Sequence, residues 1–164
     1  MINRRLISFL ETNNFLHRCQ SGFRKDRSTL DNLLALETDI RLAFLQRQHL
    51  VSIFFDIEKA YDRTWRHGIL KDLHDFNLRG NLPIFIQNFL KLRRFQVRVG
   101  SELSDFFIQE EGVPQGSVLS VTLFSIKING ILNQLSFTVK GFLYVDDLYV
   151  SCAGEDMSVI QRQV

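Results

Sequence analysis

Nine residues, Phe142 to Val150, constrain this chain more than any others: they read Phe-Leu-Tyr-Val-Asp-Asp-Leu-Tyr-Val, two apolar runs around two adjacent carboxylates. β-Branched and aromatic residues on both sides predict two strands, with Asp146 and Asp147 on a tight connection at a sheet edge. Asp tolerates turn geometry, so an isolated pair of this kind reads first as a solvated β-turn. A second apolar run, Leu50 to Phe55, also ends directly in an acid, Asp56, with Glu58 and Asp62 close behind. Two buried strands that deliver acids at their ends can gather carboxylates at one point, and clustered oxygens are what hard divalent cations such as Mg²⁺ require.

The 164 residues, 45% of them hydrophobic, suit one globular domain or a piece of one. Fifteen Phe against nine Gly and two Pro exclude disorder and collagen-like repetition. No apolar run approaches the roughly 18 residues of a membrane helix, and no leader follows the charged start Met1 to Arg5, so an intracellular protein is expected. Cys19 and Cys152 lack partners at metal-ligand spacing and are too few for a disulfide framework. His17, His49, His67 and His74 share no ligand spacing either. A net charge of +2 does not by itself argue for nucleic-acid binding, so the placement of the charges has to carry that question.

The spacing of Leu6, Ile7, Phe9 and Leu10 predicts an amphipathic helix over residues 1–16. From His17 to Arg27 four basic residues surround Gly22, a basic loop. Ser28 or Thr29 then caps a helix to about Gln48, with Asp31 in its first turn and Leu30, Leu33, Leu34, Leu36, Ile40, Ala43 and Phe44 at helical spacing. After the strand ending at Asp56, a helix is expected from Arg63 to Phe76 with Trp65, Ile69, Leu70, Leu73 and Phe76 on one face. Gly80 breaks it, and Pro83 suits the first turn of the next. Alternation over Phe95 to Gly100 and Leu103 to Gln109 predicts a hairpin turning near Gly100 and Ser101. Gly112 to Ser117 is a loop closed by glycines, followed by a helix over 118–132, a strand from Phe137 to Tyr144, its partner from Leu148 to Cys152, and a helix from Met157 that stops at the chain end. The pattern is α+β: an antiparallel sheet backed by helices on one side, with the acids on the other.

Taken together, Gln20-Ser21-Gly22-Phe23-Arg24, Phe55-Asp56-Ile57-Glu58-Lys59-Ala60-Tyr61-Asp62, Gly112-Val113-Pro114-Gln115-Gly116-Ser117 and Tyr144-Val145-Asp146-Asp147 resemble, in order and spacing, the reverse transcriptases of non-LTR, LINE-like retrotransposons, above all the Jockey-like elements of arthropods. Asp26 stands where the basic loop of that family often has glycine. The resemblance implies a reverse-transcriptase palm over about 51–164 and partial fingers over about 1–50. The thumb and endonuclease regions of a parent polyprotein are expected to be missing, and the localisation to be nuclear and cytoplasmic, as a retroelement ribonucleoprotein.

The chemistry so implied is RNA-directed DNA polymerisation on an RNA template and DNA primer, with two Mg²⁺ ions, or Mn²⁺, about 3.5–4 Å apart. Asp56 and Asp146 would bridge the ions and Asp147 would complete the set. Tyr61 matches the steric gate under the sugar of a dNTP, against an ordinary core aromatic as the alternative. Gln115 would contact the nucleotide, a plain turn being the alternative, and Arg24 and Arg27 would meet its triphosphate, where a solvated basic loop competes. Lys91, Arg93, Arg94 and Arg98 would face template or primer phosphates, or form a solvated turn. Glu58, Lys59 and Asp62 are read as supporting. Two other functions stay open: a truncated, catalytically silent remnant that at most binds nucleic acid, and a template-free nucleotidyl enzyme such as a cyclase.

Overall fold

The computed structural model describes residues 1–163. Ordered along the chain, the elements are helices α1 (Ile2–Thr12) and α2 (Thr29–Leu45), strand β1 (His49–Phe55), helices α3 (Arg66–Asp75) and α4 (Asn81–Leu90), and the short strands β2 (Arg93–Phe95), β3 (Arg98–Val99), β4 (Glu102–Leu103) and β5 (Phe107–Gln109). Helix α5 (Val118–Asn129) runs into a 3₁₀ turn over Gly130–Gln134, and β6 (Lys140–Tyr144), β7 (Asp147–Gly154) and α6 (Met157–Gln163) follow. Two compact units result: Met1–Glu58 together with the residues from Ile128 onward, and Lys59–Lys127.

The first unit is built on an antiparallel sheet in the order β1-β7-β6. Side chains alternate between its faces. On one face Ile53, Leu143, Leu148 and Val150 pack with Leu132, Ile131 and Leu135 into a core. On the other, Phe54, Tyr149 and Phe142 lie directly across from one another, with ring centroids 5.0 and 5.8 Å apart. A slip of one residue would move Leu143 and Leu148 out of the core, so the register is fixed by burial as well as by the turn. Residues 19–21 extend this sheet: Leu143 donates to the Cys19 carbonyl (2.9 Å) and Ser21 donates to that of Leu143 (2.8 Å), a parallel bridge beside β6.

Helix α2 starts where expected, with the Asp31 carboxylate accepting from the Ser28 backbone N–H at 2.6 Å. Its apolar stripe does not become a buried face. Phe44 is 80% exposed and Leu33 60%, while the buried residues are Asp39 and Ala43. The sheet explains this, because Asp39 meets Lys140 in an ion pair and the Ser151 hydroxyl at 3.5 Å. A polar anchor replaces an apolar seam. Helices also flank both faces rather than one: α2 lies over the aromatic row, while the 3₁₀ turn and α6 lie on the side of Leu132 and Cys152. The acids therefore open onto the face that α2 partly covers.

In the second unit α3 and α4 bury Ile69, Leu73, Ile86 and Leu90 completely or nearly so. Helix α3 begins three residues later than the apolar spacing suggests, because the Thr64 hydroxyl donates to the Ala60 carbonyl (2.7 Å) in a preceding turn, leaving Trp65 outside the helix and 57% exposed. The hairpin forms in two pieces, β2 with β5 and β3 with β4, around the turn at Gly100 and Ser101. In the first unit β6 begins at Lys140 instead of Phe137, whose ring is fully exposed beside a turn in which Val139 donates to Ser136.

Candidate active site

Strand β1 hands over to Asp56 and β7 begins at Asp147. The β1–β7 ladder ends at the pair Phe55 and Leu148, so Asp56 leaves β1 one residue past that pair and Asp147 precedes it on β7, itself paired with Tyr144 on β6. This acidic row lies two residues beyond the Phe54, Tyr149 and Phe142 row and so on the same face. A groove of about 500 Å³ opens there, lined by Asp56, Asp147, Tyr144, the three aromatic rings, and Asn32, Leu33 and Leu36 of α2.

Asp146 occupies the second place of a two-residue turn between β6 and β7. The first is Val145, with φ of 62°, a conformation that a β-branched side chain rarely tolerates. Such strain persists only where neighbours enforce it. Asp56 and Asp147 are exposed and Asp146 half-buried. Among the described residues no cation forms an ion pair with any of the three. Nor do three acidic, histidine or cysteine side chains converge closely enough to hold one ion. The fold thus brings Asp56 and Asp147 to one groove and keeps Asp146 in the adjoining turn.

The basic loop is internally braced. The Arg24 guanidinium makes a two-point ion pair with Glu11 (2.6 and 2.8 Å) and donates to the carbonyls of His17 (2.8 Å) and Gln20 (3.1 Å). Arg27 is exposed. Asp26 has φ of 59°, so it takes the left-handed conformation that a glycine would provide, and Asp is among the few residues suited to it. Burial, then the charges of Arg18 and Arg24, hold the His17 pKa below its usual value.

In the second unit Tyr61 stacks on Phe124 with centroids 4.7 Å apart, its ring half-buried. The loop after β5 is tied to the turn that carries it: Val113 donates to the Tyr61 carbonyl (2.8 Å) and Gly112 to that of Thr64 (3.0 Å). A side chain at Gly112, which has φ of 79°, would collide with the carbonyls of Tyr61 and Asp62. Gln115 is exposed and donates to Asp62 at 3.1 Å. Arg66 closes the arrangement by donating to the carbonyls of Gly112 (2.6 Å), Gln109 (2.8 Å) and Glu111 (2.9 Å). Burial and the nearby Arg93 lower its pKa.

Of the other basic residues, Lys91, Arg94 and Arg98 are exposed and Arg93 is half-buried. Arg93 lies over the Phe89 ring at 5.3 Å and Arg94 over Phe106 at 5.5 Å, so each has an aromatic seat. Arg98 donates to the Gly100 carbonyl at 2.9 Å. Three residues of structural weight escaped the sequence reading: Glu11, Asp39 and Arg66. None of them left a local signal: Glu11 meets a partner 13 residues away, Arg66 carbonyls 43 to 46 residues on, and Asp39 partners 101 and 112 positions away.

The fold has counterparts among solved structures. Telomerase from Candida albicans, in complex with a fragment of telomeric RNA, superposes with a TM-score of 0.67 at 16% identity, covering 99% of this chain and 30% of that one. Apo telomerase from Candida tropicalis, truncated from its C-terminal domain, gives 0.65 over 98% of this chain and 34% of its own. Residues 1–163 match the family model described as reverse transcriptase (RNA-dependent DNA polymerase), and the chain belongs to that family. Particular relatives are mobile-element proteins of Drosophila melanogaster. The probable RNA-directed DNA polymerase from transposon BS is 33% identical over 77% of this chain and 14% of its own length, and the RNA-directed DNA polymerase from mobile element jockey is 31% identical over 99% and 17%. The chain spans about a sixth or less of these relatives.

Proposed function

We propose that this chain is the fingers and palm part of an RNA-directed DNA polymerase from a non-LTR retrotransposon, adding deoxynucleotides to a primer 3′-hydroxyl on an RNA template. The observation that supports the reading is the groove lined by both Asp56, just past the last β1–β7 pair, and Asp147, the first residue of β7, next to the turn holding Asp146. Family membership over nearly the whole chain supports it. Residues 1–50 then count as partial fingers and 51–164 as palm, the thumb and endonuclease belong to a longer parent polyprotein, and the protein acts in the nucleus and cytoplasm within a ribonucleoprotein.

The chemistry of the donors suits divalent cations: Asp56 and Asp147 bring hard carboxylate oxygens to one groove, Asp146 adds another in the adjoining turn, and among the described residues no protein cation is paired with any of them. Asp56 and Asp146 would hold a pair of Mg²⁺ or Mn²⁺ ions, with Asp147 completing the ligands. Such ions activate the attacking oxygen and neutralise charge on the leaving pyrophosphate. Tyr61, its ring fixed by Phe124, would exclude a ribose 2′-hydroxyl. Gln115, steadied by Asp62, would bond the incoming nucleotide. Arg27 is the better placed of the two loop arginines for a triphosphate, since it is exposed whereas Arg24 is engaged on Glu11. Lys91, Arg93, Arg94 and Arg98 would neutralise template or primer phosphates.

The test is primer extension on an RNA template with Mg²⁺ or Mn²⁺, using this chain and a version extended through a thumb. Incorporation should follow the template sequence and vanish in Asp146→Asn at an unchanged thermal midpoint. Polymerisation retained by that variant overturns the assignment, and incorporation indifferent to the template points to another nucleotidyl transfer.

A further inference from the structure

The strained turn needs an enforcing neighbour, and Gly22 is in place to be that neighbour. Its φ lies outside the left-handed region, so backbone freedom does not require a glycine there; the space does. A Cβ on Gly22 would stand 2.5 Å from the Val145 nitrogen, 2.8 Å from its Cγ2 and 3.2 Å from its Cα, with backbone among the obstacles. The loop is held in this approach from three sides. Its residues 19–21 bridge Leu143, the buried Ser21 hydroxyl donates to the Asn32 side-chain oxygen on α2 (2.8 Å), and Arg24 ties two loop carbonyls to Glu11.

Resting on the polymerase reading above, we infer that Gly22 is a positioning residue for the carboxylates: its bare backbone presses on Val145, keeps that residue left-handed, and thereby sets Asp146 relative to Asp147 and Asp56. Arg24 belongs to this brace and not to the triphosphate. The two roles of Arg24 leave different traces. Loss of a triphosphate contact raises the KM for the dNTP, whereas loss of the brace lowers kcat and metal affinity.

Mn²⁺ binding to the whole chain, followed by electron paramagnetic resonance of the free ion, tests this without turnover. Wild type should bind Mn²⁺ and Asp56→Asn should lose most of that affinity. Gly22→Ala should weaken binding by about tenfold, in the range seen when groups supporting metal ligands are removed. In the Gly22→Ala background, Val145→Gly should restore part of the affinity, because it removes the Cγ2 obstacle and accepts the left-handed turn freely. Glu11→Gln, which leaves Gly22 and the acids untouched, should weaken Mn²⁺ binding about threefold and lower kcat in primer extension with little change in the KM for dNTP. Should Gly22→Ala fail to fold, Glu11→Gln decides alone. Mn²⁺ binding indifferent to Asp56→Asn sinks the metal-site reading itself. Binding that depends on Asp56 but ignores Gly22→Ala and Glu11→Gln overturns only the positioning role.

Discussion

Arg24 in the sheet-bearing unit and Arg66 in the helical unit resemble each other closely. Each caps loop carbonyls at or just before a motif glycine, Gly22 or Gly112, and each glycine lies against backbone where a Cβ would not fit. They differ in what else holds the loop. Around Gly22 the chain is bonded into a sheet whose register is fixed by a core, and the charge of Arg24 is answered by Glu11. Around Gly112 no sheet of that kind exists: two loops are joined by two backbone bonds, one side-chain bond from Gln115, and the three donors of Arg66. Acids set by strand register can lose their charge and keep their place. A loop gathered by one guanidinium cannot lose it and keep its form.

The largest expected effect is at the register-set acids. Asp56→Asn should cost about a thousandfold in template-directed extension, roughly 4 kcal/mol of transition-state stabilisation, with stability unchanged, while Asp62→Asn costs only severalfold. Equal losses would erase the distinction between the acid row and its supports. Next comes stability. Arg66→Met should remove about 3 kcal/mol in urea unfolding, since three bonded carbonyls lose their donors, and Arg24→Met about 1–2 kcal/mol, since the sheet still holds its loop. A larger loss at Arg24 would reverse the comparison. Tyr61→Ala should relax discrimination against ribonucleotides about tenfold, worth roughly 1.4 kcal/mol, by competition between dNTP and NTP in extension. Unchanged selectivity removes Tyr61 from the nucleotide.

The smallest effect is a pH slope. With its pKa depressed by burial and two arginines, His17 stays neutral in the folded chain at pH values where the unfolded chain is already protonated, and its Nδ1 accepts from the Cys19 N–H at 3.2 Å. The unfolded state therefore takes up the proton first, and stability falls as pH drops below about 6.5. His17→Gln should flatten that decline in unfolding experiments between neutral and mildly acidic pH; a slope that survives assigns it elsewhere.

The acid hairpin, the strand ending at Asp56, the capped helix at Ser28 and the Gly100 turn were all legible in the chain, because each rests on periodicity or turn chemistry within a few residues. So were the four ordered motifs that mark the family. Tertiary structure alone decided which face α2 presents, since the partners that make Asp39 the buried residue, Lys140 and Ser151, are 101 and 112 positions away. It decided, too, that Arg24 meets Glu11 instead of solvent, and that Arg66 gathers a loop 43 to 46 residues on. Local pattern specifies which elements form and where their acids fall; the pairing of charges and the close approach of a glycine to a turn depend on which distant segments share space, and no short-range periodicity encodes that.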